Sequence, residues 1–151
     1  MTIADNVKAV REKIAEAAAL AGRDPKEITL VAAAKTHDAR AVREAIAAGV
    51  DAVGENRVQE MLQKKAQGAY EGAPLHYIGH VQTNKIRHLV GACDLIESVG
   101  SKTQLELIGK RACALGLTQD VLIEVNIGRE PGKAGVLAEE LDELCARAAE
   151  I

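Results

Sequence analysis

Apolar residues follow two different spacings along the first fifty positions of the chain. Residues 3–22 carry apolar side chains at intervals of three and four, the period of an amphipathic helix. Residues 28–35, ITLVAAAK, are instead one apolar run that ends in a lysine, which is typical of a strand buried on both faces. Asp38 then caps a helix predicted to reach about Ala48, with Gly49 as its C-cap. The pattern therefore predicts helix, strand and helix in that order.

The same alternation of a short apolar run and a helical pattern continues to the end of the chain. The further predicted strands are 50–56, 75–80, 93–99 and 120–126, and the further predicted helices are 57–67, 82–90, 101–115 and 136–150. One strand and one helix in every ~25 residues is the spacing that parallel βαβ crossovers need. The chain thus predicts an N-terminal helix followed by five parallel βα units.

Five βα units in series form either a doubly wound sheet or a (β/α)-barrel. The glycine fingerprints of nucleotide-binding folds, GxGxxG and GxxxxGK[ST], are absent. Polar residues follow the predicted strands instead, among them Lys35, Asn56 and His80, and barrels build their sites from successive strand ends. We therefore favour the barrel. A complete (β/α)8 barrel typically takes ~250 residues, so 1–151 is expected to be a single, C-terminally truncated TIM-barrel domain.

Composition limits the partners of such a domain. Lys and Arg number 19 and Asp and Glu 22, for a net charge of −3, and the only aromatic residues are two Tyr. Balanced charge argues against a nucleic-acid surface, and few aromatics leave no base-stacking platform. No run reaches the ~18 apolar residues of a membrane span and no signal peptide is recognisable, so we expect a cytoplasmic location. Three widely spaced cysteines without a CxxC pair argue against disulfides or zinc and are expected to be buried free thiols.

Lys35 is the residue on which a functional interpretation depends. A lysine at the end of an apolar strand can simply extend its amine into solvent. In a barrel the same position opens into the site, where an amine desolvated by apolar neighbours could attack a carbonyl carbon and form a Schiff base. The residues alone leave both interpretations open.

Four segments carry a resemblance to a known family. ITLVAAAKT, GENRVQE, LHYIGHVQTNK and VLIEVNIGREPGKAG resemble, in order and spacing, the pyridoxal-phosphate homeostasis protein family, whose barrel is related to the N-terminal barrel of alanine racemase. The similarity runs from about residue 3 to the C-terminus. It implies a fold-type III barrel that holds pyridoxal 5′-phosphate (PLP) as a Schiff base on Lys35. It also implies a role in vitamin B6 homeostasis without dedicated turnover.

The resemblance assigns roles to residues after the second and third strands. It implies that Asn56 lies near the cofactor ring or its hydroxyl, and that His80, Gln82 and Asn84 line the mouth of the site. Glu55 is expected to orient its neighbours rather than contact the cofactor. Each of these residues also has a plainer interpretation, as a strand-end turn, a helix cap or a solvated side chain.

The phosphate-binding part of the resembling family has no counterpart in this chain. In that family a serine-rich turn and a glycine-threonine segment after the last strands hold the phosphate, and an arginine there faces the pyridine nitrogen. Because a phosphate needs such donors, we expect the 151-residue chain to bind PLP weakly. Its first and last strands would be unpaired apolar edges, so we expect it to self-associate, whereas the full-length protein is expected to be a monomer.

Two enzymatic alternatives remain open. A PLP-dependent amino-acid racemase of the same barrel type needs a second acid/base group opposite the lysine, and Tyr70 and Tyr77 have no evident claim to that role. An aldolase-like barrel forms its Schiff base without a cofactor and needs carboxylates near the lysine, for which Glu55 and Glu124 are candidates. A cofactor absorbance band would exclude the aldolase, and loss of chirality in an amino acid would identify the racemase.

Overall fold

Five parallel strands form a single sheet in the computed structural model, which describes residues 1–151. The strands are β1 (Val31–Ala33), β2 (Ala52–Glu55), β3 (Leu75–Tyr77), β4 (Leu95–Val99) and β5 (Asp120–Ile123). They lie in the order β1-β2-β3-β4-β5, each parallel to its neighbour. A doubly wound sheet reverses its strand order at a switch point, whereas a barrel wall adds its strands in sequence. The predicted fold, a partial (β/α)8 barrel of five parallel βα units, is confirmed.

Six α-helices flank and connect the strands. They are α1 (Ile3–Leu20), α2 (Ala39–Ala47), α3 (Val58–Ala66), α4 (Ile86–Leu89), α5 (Lys102–Leu115) and α6 (Leu141–Glu150). Short 3₁₀ turns lie at Pro25–Glu27, Thr83–Lys85 and Ala138–Glu140. Local chemistry explains two predicted boundaries. The carboxylate of Asp38 accepts the Ala41 N–H at the start of α2, and Gly116, with φ of +66°, ends α5 in a left-handed conformation that glycine adopts without strain.

β1 is shorter and less buried than the strand predicted over 28–35. It spans Val31–Ala33, and Ala33 is exposed because β1 is an edge strand that pairs only with β2. Of the residues before β1, only Leu30 contributes hydrogen bonds toward β2: its carbonyl oxygen accepts two N–H groups from the segment that enters β2. The interpretation of this run as a strand buried on both faces is therefore wrong.

Four other predicted elements are also shorter than expected, and the first of them is the strand predicted over 75–80, which ends at Tyr77. The helix predicted over 82–90 is a 3₁₀ turn followed by the single turn of α4, since neither piece has a side-chain N-cap and Val90 is already extended. The strand predicted over 120–126 is reduced to β5, beyond which only an isolated bridge continues the pairing. The helix predicted over 136–150 begins at Leu141, after a 3₁₀ turn.

The hydrophobic core lies between the sheet and the helices and is built almost entirely from aliphatic side chains. Its largest fully buried apolar side chains are Met61, Leu89, Ile96, Val53, Val81 and Val99. Cys93 belongs to this core, whereas Cys113 and Cys145 are exposed, so the expectation of buried thiols is correct for Cys93 alone. None of the helices combines the length and the apolar composition needed to traverse a lipid bilayer.

The two faces of the sheet have different neighbours. Ala32 and Val53 line an apolar groove against α1 and α2, and Glu55 bonds to a side chain of α3. Because side chains alternate along a strand, Gly54 lies on the opposite face, together with its register partner His76 of β3. We call this opposite face the inner face, since in a complete barrel it is the side turned toward the barrel axis.

Candidate functional site

A polar cleft of about 450 Å³ lies at the carboxyl ends of β2 and β3. Three of the residues predicted for the site, Asn56, His80 and Gln82, line this cleft. Arg57 at the start of α3 and Lys85 of the 3₁₀ turn supply positive charge to its wall. Glu60 also lines the cleft, with a carboxylate oxygen 3.5 Å from the Arg57 guanidinium. The cleft therefore combines hydrogen-bonding side chains with two cations and one carboxylate, a lining suited to a polar small molecule.

The hydroxyl of Tyr77 holds the two strand ends of this cleft together. It lies 3.1 Å from the carbonyl oxygen of Asn56 and 3.1 Å from that of His80, so it can donate to either. Burial raises the pKa of Tyr77 above its ordinary value, with the nearby Cys93 thiol as a smaller contribution, and the hydroxyl therefore stays a donor. The main chain adds a hydrogen bond of 2.9 Å from the Ile78 N–H to the carbonyl oxygen of Glu55. This part of the site is fixed by backbone contacts.

Asn56 has an unsatisfied acceptor, as does its neighbour Glu55, whose Oε2 atom is also buried without a partner. The Oδ1 atom of Asn56 is buried and has no hydrogen-bond partner within the chain. A buried acceptor without a partner costs on the order of 1–3 kcal/mol, and such atoms are rare in native proteins. Asn56 also lines the cleft, so this unpartnered acceptor lies in its wall.

Lys35 lies in a turn just beyond β1, outside the cleft. The N–H of Ala34 donates to the carbonyl oxygen of Gly54 at 2.8 Å, so the ladder between β1 and β2 continues up to the residue before the lysine. Lys35 itself is exposed. Of the two interpretations that the sequence left open, the exposed side chain matches an amine extended into solvent and not one desolvated by apolar neighbours, since β1 has a neighbouring strand on one side only.

The structure thus brings together some of the predicted site residues and not others. Asn56, His80 and Gln82 share one cleft, while Lys35 stands at the neighbouring strand end. Asn84 is exposed within the 3₁₀ turn Thr83–Lys85 and does not line the cleft. The predicted site residues in the cleft and Lys35 therefore lie along the carboxyl edge of β1, β2 and β3.

A buried polar network behind this edge is a feature that sequence reasoning missed. The ammonium of Lys64 lies 2.7 Å from Oε1 of Glu55, and the hydroxyl of Tyr70 donates to the same oxygen at 2.9 Å. Burial, and then the hydrogen bond to the Glu55 carboxylate, raise the pKa of Tyr70 well above its usual range. Spacing held a signal for this network, because Lys64 follows the buried Val58 and Met61 at intervals of three along α3.

The inner face carries a hydrogen-bonded pair of side chains that only the sheet register creates. His76 Nδ1 lies 2.7 Å from Oε1 of Glu97, across the pairing of β3 with β4. The two side chains are 13% and 29% exposed, so the pair is partly screened from water by the sheet. No local pattern links these two residues, which lie 21 positions apart.

A parallel sheet with its strands in sequence and a polar site at their carboxyl ends defines this protein as part of a (β/α)-barrel. The chain belongs to the family of the alanine racemase N-terminal domain, whose sequence profile matches residues 5–151. Among individual relatives, it is 40% identical over 144 residues to the pyridoxal phosphate homeostasis protein of Aquifex aeolicus (strain VF5). That match covers 95% of this chain and 63% of the Aquifex protein, so the chain spans less than two thirds of this relative's length.

Solved structures agree with this assignment. A protein of unknown function from Bifidobacterium adolescentis superimposes with a TM-score of 0.91 at 36% identity, over 99% of this chain and 64% of that one. PipY of Synechococcus elongatus PCC7942, solved with PLP bound, matches with a TM-score of 0.69 at 36% identity, over 87% of this chain and 63% of PipY. The family resemblance stated from the four sequence segments is thereby confirmed.

Proposed function

We propose that this chain binds PLP in vitamin B6 homeostasis, with Lys35 as the residue to which the cofactor is attached as a Schiff base. The observation that carries the proposal is the location of Lys35. The Ala34–Gly54 hydrogen bond holds the lysine's turn beside the end of β2, next to the strand that bears the unpartnered Asn56 oxygen. The PLP-bound structure of PipY, at 36% identity, supports the binding of PLP.

The residues at this edge fit part of the cofactor. The buried Oδ1 of Asn56 lacks a donor, and a hydroxyl group on the pyridine ring would supply one. His80 and Gln82 add polar groups at the rim of the cleft, and Lys85 and Arg57 add positive charge that the Glu60 carboxylate beside Arg57 partly offsets. We assign Asn56, His80 and Gln82 to the cofactor side of the site and give Asn84, which lies outside the cleft, no part in it. When bound, the cofactor would supply an aldehyde and an electron-withdrawing ring.

Holding the cofactor, rather than turning over an amino acid, agrees with the state of the two tyrosines. Racemisation needs a second acid/base group opposite the lysine. The Tyr70 hydroxyl is bonded to Glu55 on the helix side of the sheet, and the Tyr77 hydroxyl is bonded to main-chain carbonyl groups. Burial raises the pKa of both. Neither group stands ready to exchange a proton with a substrate, which favours the homeostasis role over the alternative of a racemase.

Reductive labelling tests this proposal directly. The chain is mixed with PLP, reduced with borohydride and digested, and the pyridoxyl-labelled peptides are mapped by mass spectrometry. We expect one major label on Lys35, and its loss in Lys35→Arg. The matched control is Lys26→Arg, which changes another exposed lysine near β1 and should leave the pattern intact. Labels scattered equally over the surface lysines would contradict the proposal.

Two further measurements define the activity. Equilibrium titration should show weak binding, because the chain holds no recognised phosphate-binding turn; tight stoichiometric binding would contradict that expectation. Incubation of the PLP-loaded chain with L-alanine in D₂O should leave the α-proton and the chirality unchanged. Exchange of the α-proton with loss of chirality would establish the racemase instead.

A further inference from the structure

Lys64 is a buried lysine on the apolar side of α3. It is 8% exposed, and it shares that side of the helix with the buried Val58 and Met61. Lysine is rarely buried to this extent unless its ammonium is paired. Its neighbour Lys65, in contrast, is exposed. The contacts of the Lys64 ammonium should therefore explain why a charge is kept at this position.

The ammonium of Lys64 joins the ends of two strands. It donates to Oε1 of Glu55, the last residue of β2, at 2.7 Å. It also donates to the carbonyl oxygen of Ala34, which follows β1, at 2.8 Å. Hydrogen bonds from a charged donor are about twice as strong as neutral ones. One buried cation thus ties the carboxyl ends of β1 and β2 to each other and to α3.

The Ala34 carbonyl group closes the turn that carries Lys35. The same oxygen accepts the N–H of His37 at 3.1 Å, so that Lys35 and Thr36 are the two central residues of the turn. Thr36 has φ of +67°, a left-handed conformation that is rare for a β-branched residue. A strained backbone of this kind persists only where its surroundings hold it in place. Lys64 is the one side chain that donates to the oxygen on which this turn is closed.

We propose that Lys64 is a positioning residue for Lys35: its ammonium anchors the Ala34 carbonyl group and so maintains the strained turn that presents the cofactor lysine beside Asn56. This inference rests on the proposed function of Lys35. The role differs from that of a simple buried ion pair. An ion pair would need only Glu55, whereas the second hydrogen bond, to Ala34, acts on the turn itself.

Two readouts follow the turn and the lysine separately. Hydrogen exchange of the His37 amide reports the turn and needs no cofactor, and the share of pyridoxyl label on Lys35 reports the position of the lysine. In Lys64→Met we expect His37 exchange to accelerate about tenfold, as the loss of a hydrogen bond from a charged donor implies. We also expect the label to spread to other lysines. Lys65→Met, which removes the adjacent exposed lysine, is the matched control and should change neither readout.

Variants at Glu55 and Thr36 separate positioning from folding. The double variant Glu55→Gln with Lys64→Met avoids leaving a buried carboxylate unpaired, and it should still show fast His37 exchange. Thr36→Gly added to that double variant should restore most of the protection and of the label on Lys35, because glycine adopts positive φ without strain. A structural role limited to the Glu55–Lys64 ion pair would not be rescued at position 36.

The outcomes are distinct from those that test the cofactor site. Unchanged His37 exchange in Lys64→Met, or no recovery on adding Thr36→Gly, would overturn the positioning role. Absence of label on Lys35 in the wild-type chain would refute the proposed function instead, and the exchange data would then decide by themselves whether Lys64 holds the turn.

Discussion

Gly79 lies directly against the backbone of Asn56. A Cβ atom at position 79 would stand 2.1 Å from the carbonyl oxygen of Asn56, closer than any side chain could tolerate. The carbonyl oxygen of Gly79 also accepts a hydrogen bond from the hydroxyl of Ser98, at the end of β4. The main chain after β3 thus packs between the carboxyl ends of β2 and β4, and its close approach to Asn56 forms one wall of the cleft.

Replacement of this glycine should therefore damage both the fold and the cleft. We expect Gly79→Ala to lower the free energy of unfolding by about 1–3 kcal/mol or more, because the contact is with backbone that cannot rotate away. Urea denaturation measures the change. Gly128→Ala is the control: its Cβ would meet only the flexible side chain of Glu130, at 3.3 Å, and the expected change is within about 0.5 kcal/mol. Equal stability of Gly79→Ala and the wild type would show that the strand ends are looser than this packing implies.

The buried ion pair between Glu55 and Lys64 should show strong energetic coupling. Their side chains are 0% and 10% exposed, so removal of one partner leaves an unpaired charge in the protein interior. We expect Lys64→Met alone to cost about 3–5 kcal/mol, and the double variant with Glu55→Gln to cost much less than the sum of the two single changes.

A double-mutant cycle by urea denaturation gives the coupling energy. The exposed pair Arg40–Glu44 on α2 has a similar separation, 3.0 Å, and should show coupling of only about 0.3–0.5 kcal/mol. Additive effects at Glu55 and Lys64 would contradict the network as the structure presents it.

Acid should destabilise the protein in part through Asp51, whose carboxylate holds the segment that leads into β1. The N–H of Leu30 donates to this carboxylate at 2.6 Å and, with a contribution from Arg11, holds the pKa of Asp51 below its usual value. A lowered pKa in the folded state stabilises the protein above the unfolded-state pKa of ~3.9, and this stability is lost as the pH falls through the folded value.

The expected contribution is below about 1 kcal/mol, since the Asp51 side chain is 42% exposed and its ion pair is screened by solvent. Thermal melting from pH 6 to pH 3 should show a shallower loss of stability in Asp51→Asn than in the wild type. Asp120→Asn, at an exposed carboxylate with no side-chain hydrogen bond in the chain, is the control. A steeper pH dependence in Asp51→Asn would give the opposite sign and refute the assignment.

The open edge of the sheet should drive self-association. Leu122 of β5 is 51% exposed, and β5 pairs on one side only. Unpaired apolar edges are templates for pairing with other chains. We expect the chain to associate with increasing concentration in sedimentation velocity, and Leu122→Lys to reduce that association. Leu20→Lys changes an even more exposed leucine at the end of α1, away from the sheet, and should have a smaller effect. A monomer at every concentration would contradict the prediction.

The succession of elements in this protein was determined by the sequence itself. Helical periods, short apolar runs and the caps at Asp38 and Gly116 are local signals, and each is expressed by residues within a few positions of one another. The regular spacing of the strands then left a parallel βα arrangement as the outcome. The polar residues after the strands correctly marked the carboxyl edge, where Asn56, His80 and Gln82 line one cleft.

Only the tertiary structure decided the environments of the key side chains. The edge position of β1 followed from the number of βα units, but the exposure of Lys35 in the turn beyond β1 did not follow from its apolar sequence. The bond from Lys64 to Ala34 joins residues 30 positions apart. Burial and ion pairing depend on neighbours brought together by sheet register and helix packing, whereas sequence periodicity reports only which way a residue faces within its own element.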